Sequence, residues 1–194
     1  MRHHIILNPT SGGGTGGRLR GEIERELTAR GLHFTLVETE RPWHAAELAQ
    51  AAAKGGADVV VAAGGDGTIH EVANGLLRAS AEHRPALGVI PVGTGNDFAK
   101  LLKGGTDHRQ AYDHLAAGEV VDFDVGLVSW ADTSEYFING MGTGIDVEVV
   151  RQIQRMGTTL PGTLRYLVAL IKCVIGFKAI PLKVRADGRE SDRL

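Results

Sequence analysis

The residues best suited to chemistry are short polar side chains set among glycines. The stretch "VVAAGGDGTIHE", residues 60–71, runs an apolar strand into a glycine turn, places Asp66 between Gly65 and Gly67, and then starts a helix. Glycines at such a turn let backbone N–H groups close around an anion, and a carboxylate inside the same cradle would repel a phosphate. A divalent cation between the two removes the repulsion. Gly64, Gly65 and Gly67 are expected to let the chain approach a ligand, with φ > 0 available to Gly65 and Gly67, and Thr68 is placed to cap the helix. A purely structural role for Asp66, as a partner of the helix dipole, would not require glycines on both sides.

Two further turns repeat this logic. "NPTSGGGTGG", residues 8–17, holds Gly12, Gly14 and Gly17 in G-x-G-x-x-G spacing between a strand and a helix, with Glu38 or Glu40 as a loosely placed ribose acid. So many glycines match almost any glycine pattern, and Arg18 and Leu19 stand where a Walker A loop needs Lys and Ser/Thr. "PVGTGNDFA", residues 91–99, follows the next strand: Pro91 stops the ladder, Gly93 and Gly95 free the backbone, and Thr94, Asn96 and Asp97 offer short polar groups at a helix start. Three polar, phosphate-sized turns on one sheet edge favour a nucleoside triphosphate with a metal ion. Asp122 and Asp124, in "VDFDVG", read either as further metal-facing carboxylates or as a solvated strand end. His3 and His4 point to opposite faces of a strand, His70 reads as an ordinary helix residue, and no H-E-x-x-H spacing occurs.

The elements that carry these turns alternate. Strands are expected at His3–Asn8, His33–Val37, Asp58–Ala63, Ala86–Ile90 and Val120–Val125. Helices are expected along Leu19, Ile23 and Leu27 up to Gly31, then at Trp43–Lys54, Thr68–Ala81, Asn96–Leu102 and His108–Ala117. Strands separated by helices predict an α/β fold, a parallel sheet with helices on both faces and ligands at the carboxyl ends of the strands. The expected division is a nucleotide-binding domain over 1–127 and part of a second, β-rich domain over 128–194. In the latter, Leu164, Leu167, Leu170, Ile171 and Val174 form a stripe that is either core or a lipid-facing surface flanked by Arg165, Lys172 and Lys178.

Composition narrows the class. The chain has 194 residues, 43% of them apolar, 27 glycines and one cysteine, Cys173, which excludes a disulfide and a cysteine metal site. The longest run without Asp, Glu, Lys or Arg is the 15 residues His3–Gly17, too short and too rich in glycine to span a membrane. A net charge of −2 conceals an asymmetry: residues 1–150 carry 12 Lys/Arg against 20 Asp/Glu, and residues 151–194 carry 9 against 3. The acidic body argues against a nucleic-acid partner, and the basic end suits an anionic membrane surface or is ordinary surface charge.

In their order and spacing, "NPTSGGG" at 8–14, "GGDGT" at 64–68 and "PVGTGNDFA" at 91–99 resemble the catalytic domain of the diacylglycerol kinase family of lipid kinases, across essentially the whole chain. The resemblance implies ATP bound by Asn8, Pro9, Ser11, Gly12, Thr39, Gly64, Gly65, Asp66, Gly67, Thr68, Glu71, Gly93, Thr94, Asn96 and Asp97, with Asp66 and Asp124 organising Mg²⁺ and the γ-phosphate. It implies transfer of that phosphate to a lipid hydroxyl by a cytoplasmic, peripherally membrane-associated protein, for which a homodimer is one candidate assembly. The family's general base lies in a D-G-E-like segment late in the second domain. "ADGRESDRL" at 186–194 comes too early and reads as a hairpin turn, so the base is expected beyond Leu194. "GGDGT" alone is shared with NAD kinases, which leaves an NAD kinase, or a nucleotide-binding module without turnover, as alternatives.

Overall fold

The computed structural model describes residues 1–79, 84–156, 162–176, 184–186 and 189–191. The chain divides into two compact units, Met1–Gly140 and Met141–Leu194.

The first unit is built on four parallel strands, β1 (Arg2–Leu7), β2 (His33–Glu38), β3 (Val59–Gly64) and β4 (Ala86–Pro91), in the order β2-β1-β3-β4. Helices α1 (Ser11–Ala29, interrupted by non-helical backbone at Gly12, Gly13 and Gly14), α2 (His44–Lys54) and α3 (Asp66–Arg78) connect them, and α4 (His108–Ala117) follows β4. Every residue of β3 is buried, as its unbroken apolar run requires of a central strand covered on both faces. Ile6, Val60 and Ala62 pack with α2 and α3, while Ile5, Leu7, Val61 and Ala63 meet Ile23 and Leu27 of α1 and Tyr112 of α4. Helices α2 and α3 approach closely because their contact is made of small residues: a Cβ on Gly75 would stand 2.2 Å from the Ala46 carbonyl oxygen. Any larger residue at 75 would wedge the pair apart. The chain leaves β1 for β2 on one side and reaches β3 on the other, so a crevice opens between the carboxyl ends of β1 and β3.

Three expectations change. Val120–Val125 is not a strand: Val120 and Val121 are 69% and 73% exposed, and ladder pairing begins only at β5 (Gly126–Trp130), against β6 (Thr133–Phe137). Apolar content alone does not make a strand where no partner offers hydrogen bonds. The helix expected at Asn96–Leu102 shrinks to a single 3₁₀ turn, Ala99–Leu101, because Asn96 takes a left-handed φ of 52° and its side chain bonds back to Gly93. The helix expected at Thr68–Ala81 begins earlier, at Asp66, with Gly65 and not Thr68 at the N-cap, and ends at Arg78 with Ala79 extended; residues 80 and 81 lie outside the described ones.

Among the described residues, the second unit holds α5 (Ile145–Arg155), α6 (Gly162–Gly176) and a two-stranded antiparallel sheet of β7 (Val184–Ala186) and β8 (Arg189–Ser191). The hairpin turn expected at Asp187-Gly188 falls outside the described residues, although the two strands that flank it do pair. Helices α5 and α6 meet through Val149, Ala169 and Cys173, while Leu164, Leu167, Ile171 and Val174 are exposed. The expected stripe of α6 is thus divided, with Leu170 packed against the α5–α6 cluster and the other four residues exposed.

Candidate functional site

The three glycine turns meet at the β1/β3 crevice, each touching the other two. Asn8, just past β1, donates from Nδ2 to Thr68 Oγ1 at 3.0 Å, joining the first turn to the second; its Oδ1 accepts from the Thr10 N–H at 3.0 Å and closes the turn. A Cβ on Gly12 would lie 2.4 Å from the Val92 carbonyl oxygen, and one on Gly93 would lie 2.4 Å from Gly65 Cα. Side chains would therefore drive the turns apart. Gly65 and Gly67 do not take the positive φ expected of them, and the left-handed residues are Gly12, Gly13 and Gly14, with φ of 59°, 66° and 88°, and Asn96. Gly65 is glycine for closeness, not for handedness. At Gly13 and Gly67 a Cβ would meet nothing within 4 Å, so these two positions face open space.

Asp66 is the carboxylate of this cradle. As the first residue of α3 it stands where the helix dipole favours negative charge. Its Oδ1 accepts from the Phe98 N–H at 3.0 Å and from Asn139 Nδ2 at 3.3 Å. Its Oδ2 is turned toward Gly95, where a Cβ would stand 3.1 Å from it, so one oxygen is held and the other faces the third turn.

The remaining predicted residues divide between the cradle and other contacts. Thr68, 4% exposed, lies inside the helix as the acceptor for Asn8. Gly64 has no room for a side chain, since a Cβ would meet Thr68 Oγ1 at 2.4 Å. Pro9 accepts from the Gly17 N–H at 3.0 Å, Ser11 donates its N–H to the Asn8 carbonyl at 3.2 Å, and Thr39 anchors to the Leu7 carbonyl at 2.9 Å, which sets it beside the crevice at the end of β2. Asn96, 6% exposed, closes the third turn by bonding both the N–H and the carbonyl of Gly93 at 2.8 Å. Thr94 is exposed, and Asp97 is exposed and paired with Lys100 at 2.6 Å. Glu71 accepts the Ala45 N–H on its Oε2 at 3.2 Å and so caps the start of α2. Asp124 is exposed and lies outside the ladder; the preceding Phe123 packs edge-on against Phe98 at 5.1 Å, and Phe98 is the residue whose amide binds Asp66.

A row of functional contacts on α3 escaped the sequence reading. Asp66, His70, Asn74 and Arg78 recur every four residues and so share one stripe of the helix. Asp66 accepts from Asn139, His70 Nε2 pairs with Glu135 at 2.5 Å, and Arg78 donates to the Ser134 carbonyl at 2.8 Å. Asn74, fully buried, accepts the Tyr136 N–H at 3.0 Å and donates to the Tyr136 carbonyl at 2.9 Å, as a neighbouring strand would. The period of four was the available signal, and a buried Asn within it the clue to a backbone partner.

The donor set fits a nucleotide and a hard cation in one way only. Among the described residues no group of three or more His, Cys, Asp or Glu is placed to enclose a metal. A cation here would lean on one or two carboxylates, phosphate oxygens and water, which is how Mg²⁺ is commonly held and unlike a closed zinc or calcium site. The close-packed glycines bring the backbone of the three turns together, as a phosphate-binding cradle of N–H groups requires.

Residues 2–128 match the family model of the diacylglycerol kinase catalytic domain. A curated protein named diacylglycerol kinase from Bacillus subtilis (strain 168) is 34% identical over 189 residues, covering 97% of this chain and 60% of its own length. One of the same name from Staphylococcus saprophyticus is 32% identical, with 96% and 59% covered. A solved chain from Bacillus anthracis str. Sterne, described as a diacylglycerol kinase, superposes with a TM-score of 0.57 at 30% identity over 64% of this chain and 44% of its own. A second solved chain from that strain reaches a TM-score of 0.73 at 26% identity, with 98% and 60% covered. The present chain thus spans about 60% of the length of the curated relatives it matches.

Proposed function

Since the chain belongs to the diacylglycerol kinase catalytic-domain family, we propose that it binds MgATP in the glycine cradle as part of an enzyme that transfers the γ-phosphate to a lipid hydroxyl, with diacylglycerol the first substrate to try. The observation that carries this reading is the mutual contact of three glycine turns around one half-held carboxylate, Asp66, at the switch point of a parallel sheet. Backbone amides of the turns bind the phosphates; Thr39, at the end of β2, borders the ribose side; Asp66 and Asp124 hold the cation, which would neutralise charge on the transferring phosphoryl group. Residues 1–127 form the nucleotide part and residues 128–194 open the lipid-facing part. Among the described residues none is assigned as the base that deprotonates the lipid hydroxyl.

Peripheral attachment to an anionic bilayer belongs to the same reading. Among the described residues no helix is long and apolar enough to cross a membrane, while α6 exposes Leu164, Leu167, Ile171 and Val174 beside Lys172, in the stretch of chain with the basic excess. Lipid phosphorylation should rise on anionic vesicles and fall with salt, since screening sets in over about 10 Å at 0.1 M. A flat salt response would remove the membrane contact.

The deciding experiment incubates the complete gene product, with this chain beside it, with γ-labelled ATP, Mg²⁺, lipids in mixed micelles and NAD. Label in an organic-extractable lipid is the expected result. Label in NAD would make the protein an NAD kinase, and ATP binding with no label anywhere would leave a nucleotide-binding module.

A further inference from the structure

We infer that Asn139 is a positioning residue for Asp66: its amide fixes the rotamer of that carboxylate so that Oδ2, and not Oδ1, faces the cradle. Three observations carry this. First, Oδ1 has two donors, the Phe98 N–H at 3.0 Å and Asn139 Nδ2 at 3.3 Å, which come from different segments of the chain. A carboxylate with one donor still swivels about its χ angles, whereas two donors on one oxygen define both its plane and the direction of the other oxygen. Second, Asn139 is exposed, so its contact with Asp66 is not the by-product of a packed core. Third, the segment carrying Asn139 is locked in register on the helix that carries Asp66. The buried Asn74 binds both backbone groups of Tyr136, three residues before Asn139, while His70 holds Glu135 and Arg78 holds the Ser134 carbonyl. Helix α3 therefore presents Asp66 at its first turn and, through the remaining members of the same stripe, carries the strand that delivers the amide to it.

The consequence reaches the chemistry through the proposed MgATP site, and to that extent rests on that reading. A carboxylate that offers one oriented oxygen to a hydrated cation needs no reorganisation when the nucleotide arrives, whereas a freely rotating one loses that freedom on binding. Asn139 itself touches neither phosphate nor cation.

The test separates the two claims. Hydrogen exchange of the Phe98 amide is followed in the nucleotide-free chain, where neither ATP nor Mg²⁺ enters. Asn139→Ala should speed that exchange by about tenfold, because Oδ1 is then free to leave its remaining donor, with the circular dichroism spectrum and melting temperature close to those of the parent chain. Asn139→Asp, which turns the donor into a second carboxylate of the same shape, should speed it further, and Asn139→Gln, which keeps an amide, should restore part of the protection. In parallel, calorimetry with ATP should show that Asn139→Ala weakens binding about tenfold in the presence of Mg²⁺ and leaves binding in EDTA unchanged. Phe98 exchange at the parent rate in both the Ala and Asp variants would overturn the inference, as would equal losses of affinity with and without Mg²⁺. Faster exchange in the variants together with Mg²⁺-independent ATP binding in the parent chain would uphold the positioning role and sink the MgATP reading alone.

Discussion

The glycine cradle and helix α6 use the same kinds of residue to opposite ends. Around the cradle, glycines are packed against other backbone: Gly12 against Val92, Gly65 against Gly93, Gly16 against Asn8. In α6, nothing stands within 4 Å of a Cβ placed on Gly176, and Ile175 is 83% exposed. Behind the cradle, Ile6, Val60 and Val61 have no exposed surface, whereas the apolar residues of α6 contribute only Ala169 and Cys173 to a buried cluster. The difference locates where this chain fixes its own geometry. The sheet and its turns are determined by contacts they make themselves, while in α6 Ala169, Leu170 and Cys173 pack with α5 and Leu164, Leu167, Ile171 and Val174 stay exposed.

That contrast can be broken by substitution. The largest effect is expected from Ile6→Ala, which should cost about 2–5 kcal/mol in urea unfolding, as for other buried large-to-small changes. Ile175→Ala should cost less than about 0.5 kcal/mol. Comparable losses at the two sites would erase the distinction. Gly93→Ala should come next, at about 1–3 kcal/mol, since its Cβ has Gly65 Cα at 2.4 Å and Asn96 Oδ1 at 2.6 Å to displace. It should also abolish ATP binding, with Gly176→Ala leaving both properties intact. Asn74→Ala should cost about 1–3 kcal/mol by stranding the Tyr136 N–H and carbonyl, read by faster exchange of the Tyr136 amide.

Much of this was legible in the sequence. The order of strands and helices followed from hydrophobic period and breakers, and His108–Ala117 matches α4 residue for residue. That ligands gather at the carboxyl ends of the strands followed from the fold class, whereas the strand order that opens the crevice between β1 and β3 did not. What the sequence hid was the reason for individual residues. Gly65 and Gly67 looked like left-handed positions, but the need for glycine at 65 is a contact with Gly93, which is distant in sequence. Glu71 enters the nucleotide site by the family resemblance alone, and no local pattern announces that its carboxylate also caps α2. Val120–Val125 has the composition of a strand and, among the described residues, no partner strand beside it, a property that no local pattern encodes. The stripe Asp66–His70–Asn74–Arg78 was visible as a period of four, but its partners in β6 and beyond are 56 to 73 residues away along the chain.

The smallest effect expected is a pH dependence at the opposite end of the sheet. His3, 5% exposed, and His4 are held below the ordinary imidazole value of 6.5, chiefly by burial, which at His3 outweighs the backbone hydrogen bonds of His33 and Met1 to the ring. Above pH 6.5 both folded and unfolded chains carry neutral imidazoles and stability is undiminished. As the pH falls through 6.5 the unfolded chain takes up protons that the folded one refuses, so stability declines until the lower folded pKa is reached. His3→Leu should flatten that decline in urea midpoints measured from about pH 7.5 to about pH 5.5. The Asp58 carboxylate, which favours the charged ring, and the N-terminal amine, which opposes it, both remain. An unchanged slope would show that burial of His3 is not its source.

That Asp66 is the cation-facing group of a phosphate cradle is tested most directly by calorimetry of ATP binding, with and without Mg²⁺, to this chain and its Asp66→Asn variant. The parent chain should bind ATP more tightly with Mg²⁺, and the variant, with nearly the same shape and no charge, should keep its fold and lose that gain. Equal Mg²⁺ dependence in the two would contradict this and remove Asp66 from the metal site.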